Sequence, residues 1–132
     1  MIAVQTVTGP IDSSELGRTL MHEHLVIGFP GWEAVTHERF DRAAAVRTCV
    51  DRVAELQALG YSSMVDPCPN DLGRDVELMV EVAEATGFNI ICATGLYLER
   101  MGGSAHWFLR SRLEDVTPAM TELFVRELSE GV

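Results

Sequence analysis

The sequence of 132 residues contains no lysine: its ten cationic residues are all arginine, against 20 aspartates and glutamates. The formal net charge is therefore −10. Nucleic acids and anionic membranes are bound through clustered cations, so we expect neither as a partner of this chain. With 47% hydrophobic and 23% charged residues, the composition is that of a globular protein and excludes a disordered tail.

Cysteine is scarce, and long hydrophobic runs are missing. Cys49, Cys68 and Cys92 form no C-x-x-C pair, and three thiols do not close into a complete disulfide set. We therefore expect a reducing, cytoplasmic setting. The first residues carry no basic segment followed by an apolar core, so no secretory signal is expected. Polar residues interrupt the apolar stretch over residues 20–29, and no run approaches the ~20 residues of a membrane span.

Strand and helix patterns alternate along the chain. Apolar and β-branched stretches predict strands over residues 4–7, 19–27, 61–65 and 88–93. Apolar residues at spacings of three and four predict three helices between them. The first runs from Asp41 to Gly60, the second from Val76 to Gly87, and the third from an N-cap at Thr117 to Gly131.

Each predicted helix has one apolar face, which we expect to be buried because charged residues fill the opposite side. The residues of these faces are Val46, Cys49, Val50, Val53 and Leu56 in the first helix, Val76, Met79, Val80 and Ala83 in the second, and Met120, Leu123, Phe124 and Leu128 in the third. The segment with Trp107 and Phe108 is predicted to be a loop, in which these rings either floor an apolar pocket or pack locally.

One pattern occurs three times: a helix, then a glycine, then an apolar residue that opens a strand. The glycines are Gly60, Gly87 and Gly131. Glycine suits the left-handed position just past a helix, so each copy predicts a helix-to-strand connection. Nearly all-apolar strands alternating with helices favour a parallel sheet with both faces covered. The third connection leads out of the sequence, so the chain is expected to be the first part of a larger α/β protein.

The most specific chemical feature is the pair His22 and His24. Residues two apart on a strand project from the same face, so both imidazoles are expected on one side. Two neutral imidazoles near the carboxyl end of a parallel strand form half of a divalent-metal site. The alternative is a pair of partly exposed histidines that bond only to neighbouring backbone.

Other polar residues have weaker signals. Glu23 is expected to be structural, paired with an arginine behind the sheet. Asp66 either orients an imidazole from behind or forms the turn before Pro67. Cys68 and Cys92 offer a different reading, in which they complete a small zinc-binding domain with the two histidines, although their spacing matches no closed structural motif. No serine or cysteine nucleophile with a matched base is evident.

Six segments together resemble the phosphotriesterase family of the amidohydrolase superfamily, in order and over essentially the whole chain. They are residues 4–11, 16–25 with the Leu-Met-His-Glu-His-Leu string, 65–67, 73–76, 89–97 and 122–128. Each segment alone is weak evidence for the family, whereas the set of six in this order is specific for it.

The resemblance implies a (β/α)₈ TIM barrel preceded by a short N-terminal β-hairpin. Residues 1–132 would be the incomplete N-terminal part of this single domain, with its first three βα units. It also implies two divalent metal ions, usually zinc, and a metal-bound hydroxide that attacks a small-molecule ester, either a phosphotriester or a lactone. His22 and His24 match the first-strand ligands of the more buried metal, and Tyr97 falls on a loop that faces the substrate.

The absence of lysine bears on the metal site, because the resemblance implies a carboxylated lysine that bridges the two metals. This chain has no lysine to supply, and such barrels need ~250 residues. We therefore expect a segment of a metal-dependent hydrolase that is not competent alone; the alternative is a non-catalytic remnant or interaction module. The unpaired strand edges and uncovered apolar faces of a partial barrel also predict that the isolated chain either self-associates into a homo-oligomer or is only partly ordered.

Overall fold

The computed structural model describes residues 2–37 and 39–132. The chain divides into two compact units. The sheet unit comprises Met1–Val26, Thr36–Pro67 and Asp75–Ala93. The helical unit comprises Ile27–Val35, Cys68–Arg74 and Thr94–Val132.

The sheet unit begins with the expected β-hairpin. Strands β1 (Ala3–Thr6) and β2 (Gly9–Asp12) pair antiparallel, with Val4 opposite Ile11. The turn is tight because Gly9 adopts φ +118°, and the Thr6 hydroxyl donates to the Gly9 carbonyl at 2.6 Å. The amide of Val7 donates to the Ile90 carbonyl at 2.9 Å and so attaches the hairpin turn to the main sheet.

The main sheet is parallel and has the order β3-β4-β5. Its strands are β3 (Thr19–Leu20), β4 (Ser63–Asp66) and β5 (Asn89–Cys92). A strand over residues 19–27 is therefore wrong beyond Leu20. One backbone bond with β4 continues, from the Glu23 amide to the Val65 carbonyl at 3.2 Å. The Leu25 amide then donates to the Asp66 carboxylate at 3.0 Å, so a side chain replaces the ladder.

The start of β4 also differs from the prediction, which placed it at Tyr61. The amide of Tyr61 donates back to the Leu56 carbonyl at 3.1 Å, and the amide of Gly60 donates to the Gln57 carbonyl at 2.9 Å. Tyr61 therefore belongs to the C-terminal cap of the preceding helix, with Gly60 at φ +84°. The strand begins only when that cap is complete.

Two helices cover the main sheet with the predicted ends. Helix α2 spans Arg42–Ala58 with Asp41 as its N-cap, and helix α3 spans Val76–Thr86 with Asp75 as its N-cap and Gly87 at φ +67°. The buried face of α3 is displaced from the predicted one, because Leu78 and Val82 are fully buried whereas Val76 and Val80 are only partly so. The reason is that α3 packs against both α2 and β5.

The core of the sheet unit lies between the strands and these helices. Its largest fully buried apolar side chains are Phe88, Met64, Leu78, Met79, Ile90, Val53 and Val82. Met64 and Ile90 stand opposite each other on neighbouring strands, which explains the nearly continuous apolar runs there. Ser63 and Asp66 are polar and equally buried.

The helical unit contains α1 (Trp32–Val35), α4 (Ala105–Arg110) and α5 (Thr117–Glu130). Trp107 and Phe108 lie in α4 and not in a loop, because Ser104 starts this helix from a left-handed backbone at φ +59°. Thr117 is already helical, and its amide donates to Asp115 Oδ1 at 3.0 Å.

The apolar face of α5 is less buried than predicted. Met120, Leu123 and Phe124 are half-buried, whereas Leu128 is 77% exposed. No residue of α5 is fully buried. Among the helices of residues 2–37 and 39–132, none combines the length and the hydropathy needed to cross a membrane.

Candidate metal centre

The polar residues of the sheet unit gather where two neighbouring parallel strands end. His22 and His24 come directly after β3, and Asp66 is the last residue of β4. Carboxyl ends of parallel strands share one edge of a sheet, which is where α/β folds place their ligand sites. The short β3 therefore delivers both histidines to this edge.

The two imidazoles lie next to each other in an edge-to-face arrangement. Their ring centroids are 5.4 Å apart, and the planes cross at 83°. His22 is exposed, and His24 is half-buried, with 18% of its side chain accessible. The two rings are therefore neighbours, as expected from the sequence, although both residues lie outside the regular strand ladder.

Asp66 is fully buried and binds the histidine segment at two points. Its Oδ2 accepts the Leu25 amide at 3.0 Å, and its Oδ1 lies 3.2 Å from His24 Nδ1. Of the two readings of Asp66, an orienter of an imidazole or a turn former before Pro67, these contacts favour the first. The sequence could not distinguish these two roles of Asp66, because residues 24 and 66 are far apart in the chain and come together only through the pairing of β3 with β4.

The Nδ1 atom of His24 is buried and has no hydrogen bond of normal direction within the described part of the chain. Its 3.2 Å approach to Asp66 is close enough for a hydrogen bond, but the two groups are not aligned. The accessible part of this ring excludes Nδ1, so Nε2 is the nitrogen that remains for a ligand.

Glu23 does not pair with an arginine, contrary to expectation. Its Oε1 accepts the His24 amide at 3.0 Å, and the described residues provide it with no ion pair. Because the acceptor sits on the neighbouring residue, this bond stiffens the backbone between the two histidines. Glu23 therefore has a local structural role here.

These residues fit a divalent ion. Imidazole nitrogens are preferred ligands of zinc, and two of them supply half of a tetrahedral set. A carboxylate behind the second nitrogen of a histidine is the usual support of a metal-binding imidazole. The same arrangement is present here, because the buried Nδ1 of His24, which has no well-aligned hydrogen bond, lies beside the Asp66 carboxylate.

An apolar cavity of about 350 Å³ adjoins this edge within the sheet unit. Its walls include Leu20, His24, Leu25, Cys49 and Met64. The thiol of Cys49 donates to the Leu25 carbonyl at 3.4 Å. Burial, and to a lesser extent the charge of Asp66, raises the pKa of the Cys49 thiol. Cys49 is therefore a protonated packing residue rather than a nucleophile.

Tyr97 lies in the helical unit, at the start of a segment whose two terminal amides are hydrogen-bonded to the Asp71 carboxylate. The Tyr97 amide donates to Asp71 Oδ1 at 2.6 Å, and the Ser104 amide donates to Asp71 Oδ2. The Ser104 hydroxyl donates to the Tyr97 carbonyl at 3.0 Å, and the Tyr97 ring lies 6.5 Å from that of Phe29. Sequence reasoning missed Asp71, because nothing in its local spacing marks a residue that caps a segment 26 positions later.

The remaining cysteines make local contacts. Cys68, in the helical unit, donates to the Leu72 carbonyl at 3.2 Å, and Cys92, in the sheet unit, approaches the Ala93 carbonyl at 3.6 Å. The four-ligand zinc domain that would use both thiols stays an alternative prediction.

The fold and the site define an α/β protein with its polar residues at the carboxyl edge of a parallel sheet. The model of the phosphotriesterase family matches residues 2–132, so the chain belongs to that family, and the resemblance noted in the sequence is confirmed. The phosphotriesterase homology protein of Mycobacterium tuberculosis is 35% identical over an alignment of 134 positions, which covers 100% of this chain and 41% of that protein.

Two other relatives agree with this assignment. The aryldialkylphosphatase of Saccharolobus solfataricus is 29% identical over 122 residues, covering 92% of this chain and 37% of that protein. The solved organophosphorus hydrolase from Deinococcus radiodurans superposes with a TM-score of 0.93 at 41% identity, covering 98% of this chain and 39% of that one. The chain therefore spans about two-fifths of the length of these relatives.

Proposed function

We propose that this chain forms part of a metal-dependent ester hydrolase and that His22 and His24 bind one divalent ion, zinc being the expected one. The observation that carries the proposal is the pair of adjacent imidazoles, with ring centroids 5.4 Å apart at the carboxyl edge of the sheet and a buried carboxylate oxygen 3.2 Å from Nδ1 of His24. The names of the relatives, aryldialkylphosphatase and organophosphorus hydrolase, support hydrolysis of phosphotriesters. A related structure described as a lactonase supports lactones equally.

The chain's own residues have distinct tasks in this proposal. His22 and His24 hold the ion, and Glu23 fixes the backbone between them through the His24 amide. When bound, the ion supplies Lewis-acid polarisation of an ester oxygen. Tyr97, on the segment clasped by Asp71, is proposed to contact the small-molecule substrate. Residues 1–132 are proposed to belong to a single (β/α)₈ barrel whose other ligands lie outside this sequence.

Zinc titration of the chain tests the metal site. We expect binding that is lost in the His22→Ala/His24→Ala double variant, measured by calorimetry and by metal content after gel filtration. His106→Ala is the matched control, because His106 is an exposed histidine of the helical unit. Equal zinc content in the double variant and the wild type would refute His22 and His24 as ligands.

A non-catalytic interaction module is the second candidate, because residues 1–132 contain no lysine that could be the implied bridging ligand, an observation that agrees equally with a hydrolase whose lysine lies outside this sequence. Chelator-sensitive hydrolysis of a lactone or an aryl dialkyl phosphate by this chain would exclude that candidate. Absence of turnover together with His-dependent zinc binding would support an incomplete site. Reading the gene past the Val132 codon then distinguishes the two, since the hydrolase proposal expects a further strand that carries lysine.

A further inference from the structure

We propose that Asp66 is a positioning residue that holds the His24 ring in one tautomer, with the proton on Nδ1 and the lone pair on Nε2. The inference deepens the proposed function, because it names the residue that prepares His24 to bind the ion. The tautomer itself is a property of the metal-free chain, so it is measurable without any ion.

The first support is the way Asp66 is fixed. Its side chain is fully buried, and a buried carboxylate is stable only when its oxygens are paired or hydrogen-bonded. Oδ2 accepts the Leu25 amide at 3.0 Å, which anchors the carboxylate to the backbone one residue past His24. An acceptor anchored in this way keeps Oδ1 directed at a constant place.

The second support is the state of His24 Nδ1. This atom is buried, unaligned with any acceptor in the described residues, and 3.2 Å from Asp66 Oδ1. A carboxylate accepts and does not donate, so a proton on Nδ1 gives attraction, whereas a lone pair there would face another lone pair. Hydrogen bonds at metal and catalytic sites are commonly loose without ligand and tighten when it binds.

The third support is topological. Asp66 ends β4 and His24 follows β3, and these two strands are neighbours in the parallel sheet. The carboxylate therefore reaches the histidine from a rigid element. His22 is exposed, and no contact with Asp66 is found for it among the residues described. The support is thus specific for one imidazole of the pair.

Nitrogen-15 NMR of the histidine side chains tests the inference at about pH 8.5, where an ordinary imidazole is neutral. In the wild-type chain we expect His24 in the Nδ1–H tautomer, with His37, an exposed histidine, as the reference for an unconstrained ring. In Asp66→Asn we expect His24 to shift toward the His37 pattern. A wild-type His24 protonated on Nε2 would overturn the inference even if the variant did not fold.

Asp75→Asn is the matched control, because Asp75 also accepts a backbone amide, that of Leu78 at 2.8 Å, but caps α3 and contacts no histidine in the described chain. Its His24 spectrum should equal that of the wild type. If Asp75→Asn shifts the tautomer as much as Asp66→Asn, the effect is general loosening and the inference is wrong.

Zinc affinity supplies a second readout. Loss of a carboxylate behind a metal-binding histidine weakens metal affinity by about 10–100-fold, and we expect that loss in Asp66→Asn but not in Asp75→Asn. A lower affinity with an unchanged tautomer would make Asp66 a direct ligand and overturn the positioning role. If the wild type binds no zinc, the proposed function fails, while the tautomer experiment still decides the inference.

Discussion

Arg74 and Glu127 form a bidentate ion pair within the helical unit, with Nη2–Oε1 at 2.8 Å and Nη1–Oε2 at 3.1 Å. Each side chain is only 11% exposed. Glu127 also accepts hydrogen bonds from Asn70 Nδ2 at 2.9 Å and from the Thr94 hydroxyl. Since α5 buries no residue completely, this polar cluster supplements the half-buried apolar side chains that hold α5 in the helical unit.

Removing the carboxylate should destabilise the helical unit strongly. A hydrogen bond to a charged group contributes about 1.5–3 kcal/mol when it is withdrawn from solvent, and this pair is only partly exposed, so Glu127→Gln should lower the free energy of unfolding by an amount near that range. Hydrogen exchange of the α5 amides measures the effect.

Glu130→Gln is the control for this experiment. Glu130 pairs with Arg126 at 3.1 Å on the exposed side of α5, where an ion pair contributes about 0–1 kcal/mol. Equal effects of the two substitutions would refute the special role of the Arg74–Glu127 pair.

The same pair should make stability depend on pH. The hydrogen bond from Arg74 is the main cause that holds the pKa of Glu127 below its ordinary value of 4.5. A depressed folded-state pKa means that the stabilisation is complete above the unfolded value and is lost as pH falls through the folded one.

Urea unfolding between about pH 3 and 7 tests this dependence. The wild type should lose stability below about pH 4.5, and Glu127→Gln should lose less over the same interval because it lacks the titrating group. Parallel curves for the two proteins would contradict the assignment.

The hydrogen bonds of the Asp71 carboxylate should keep the segment from Tyr97 to Ser104 ordered. Because one carboxylate accepts both terminal amides of this segment, Asp71→Ala should expose it to cleavage and increase hydrogen exchange at the amides of Tyr97 and Ser104. Limited proteolysis with mass mapping locates the change. Asp115→Ala, which removes a single amide contact at the start of α5, should leave the segment protected.

The burial pattern predicts a sharp contrast between two apolar residues. Ile90 is fully buried opposite Met64 in the sheet, so Ile90→Ala should cost about 2–5 kcal/mol through lost contacts and a cavity. Leu128 is 77% exposed, and Leu128→Ala should change stability by less than about 0.5 kcal/mol. A large loss of stability in Leu128→Ala would show that Leu128 is buried, as first predicted for α5.

Local chemistry fixed much of the fold in advance. Asp41 and Asp75 cap the N-termini of α2 and α3, and Gly60 and Gly87 follow their C-termini. Capping depends on residues only a few positions apart, so it follows from the local sequence. The apolar runs of β4 and β5 likewise indicated a sheet buried on both faces. The spacing of His22 and His24 was enough to bring two imidazoles together.

Tertiary structure decided the rest. The backbone pairing of the histidine segment with β4 does not continue at Leu25, because the Leu25 amide donates to the Asp66 carboxylate, an acceptor 41 positions away in the sequence. Leu128 lies in solvent although the periodicity of the helix had favoured a buried leucine, and the preceding residue, Glu127, is instead bonded to Asn70 and Arg74. The sequence determined which residues were available for chemistry, whereas the placement of Asp66 behind His24 depended on strand pairing, which no local pattern encodes.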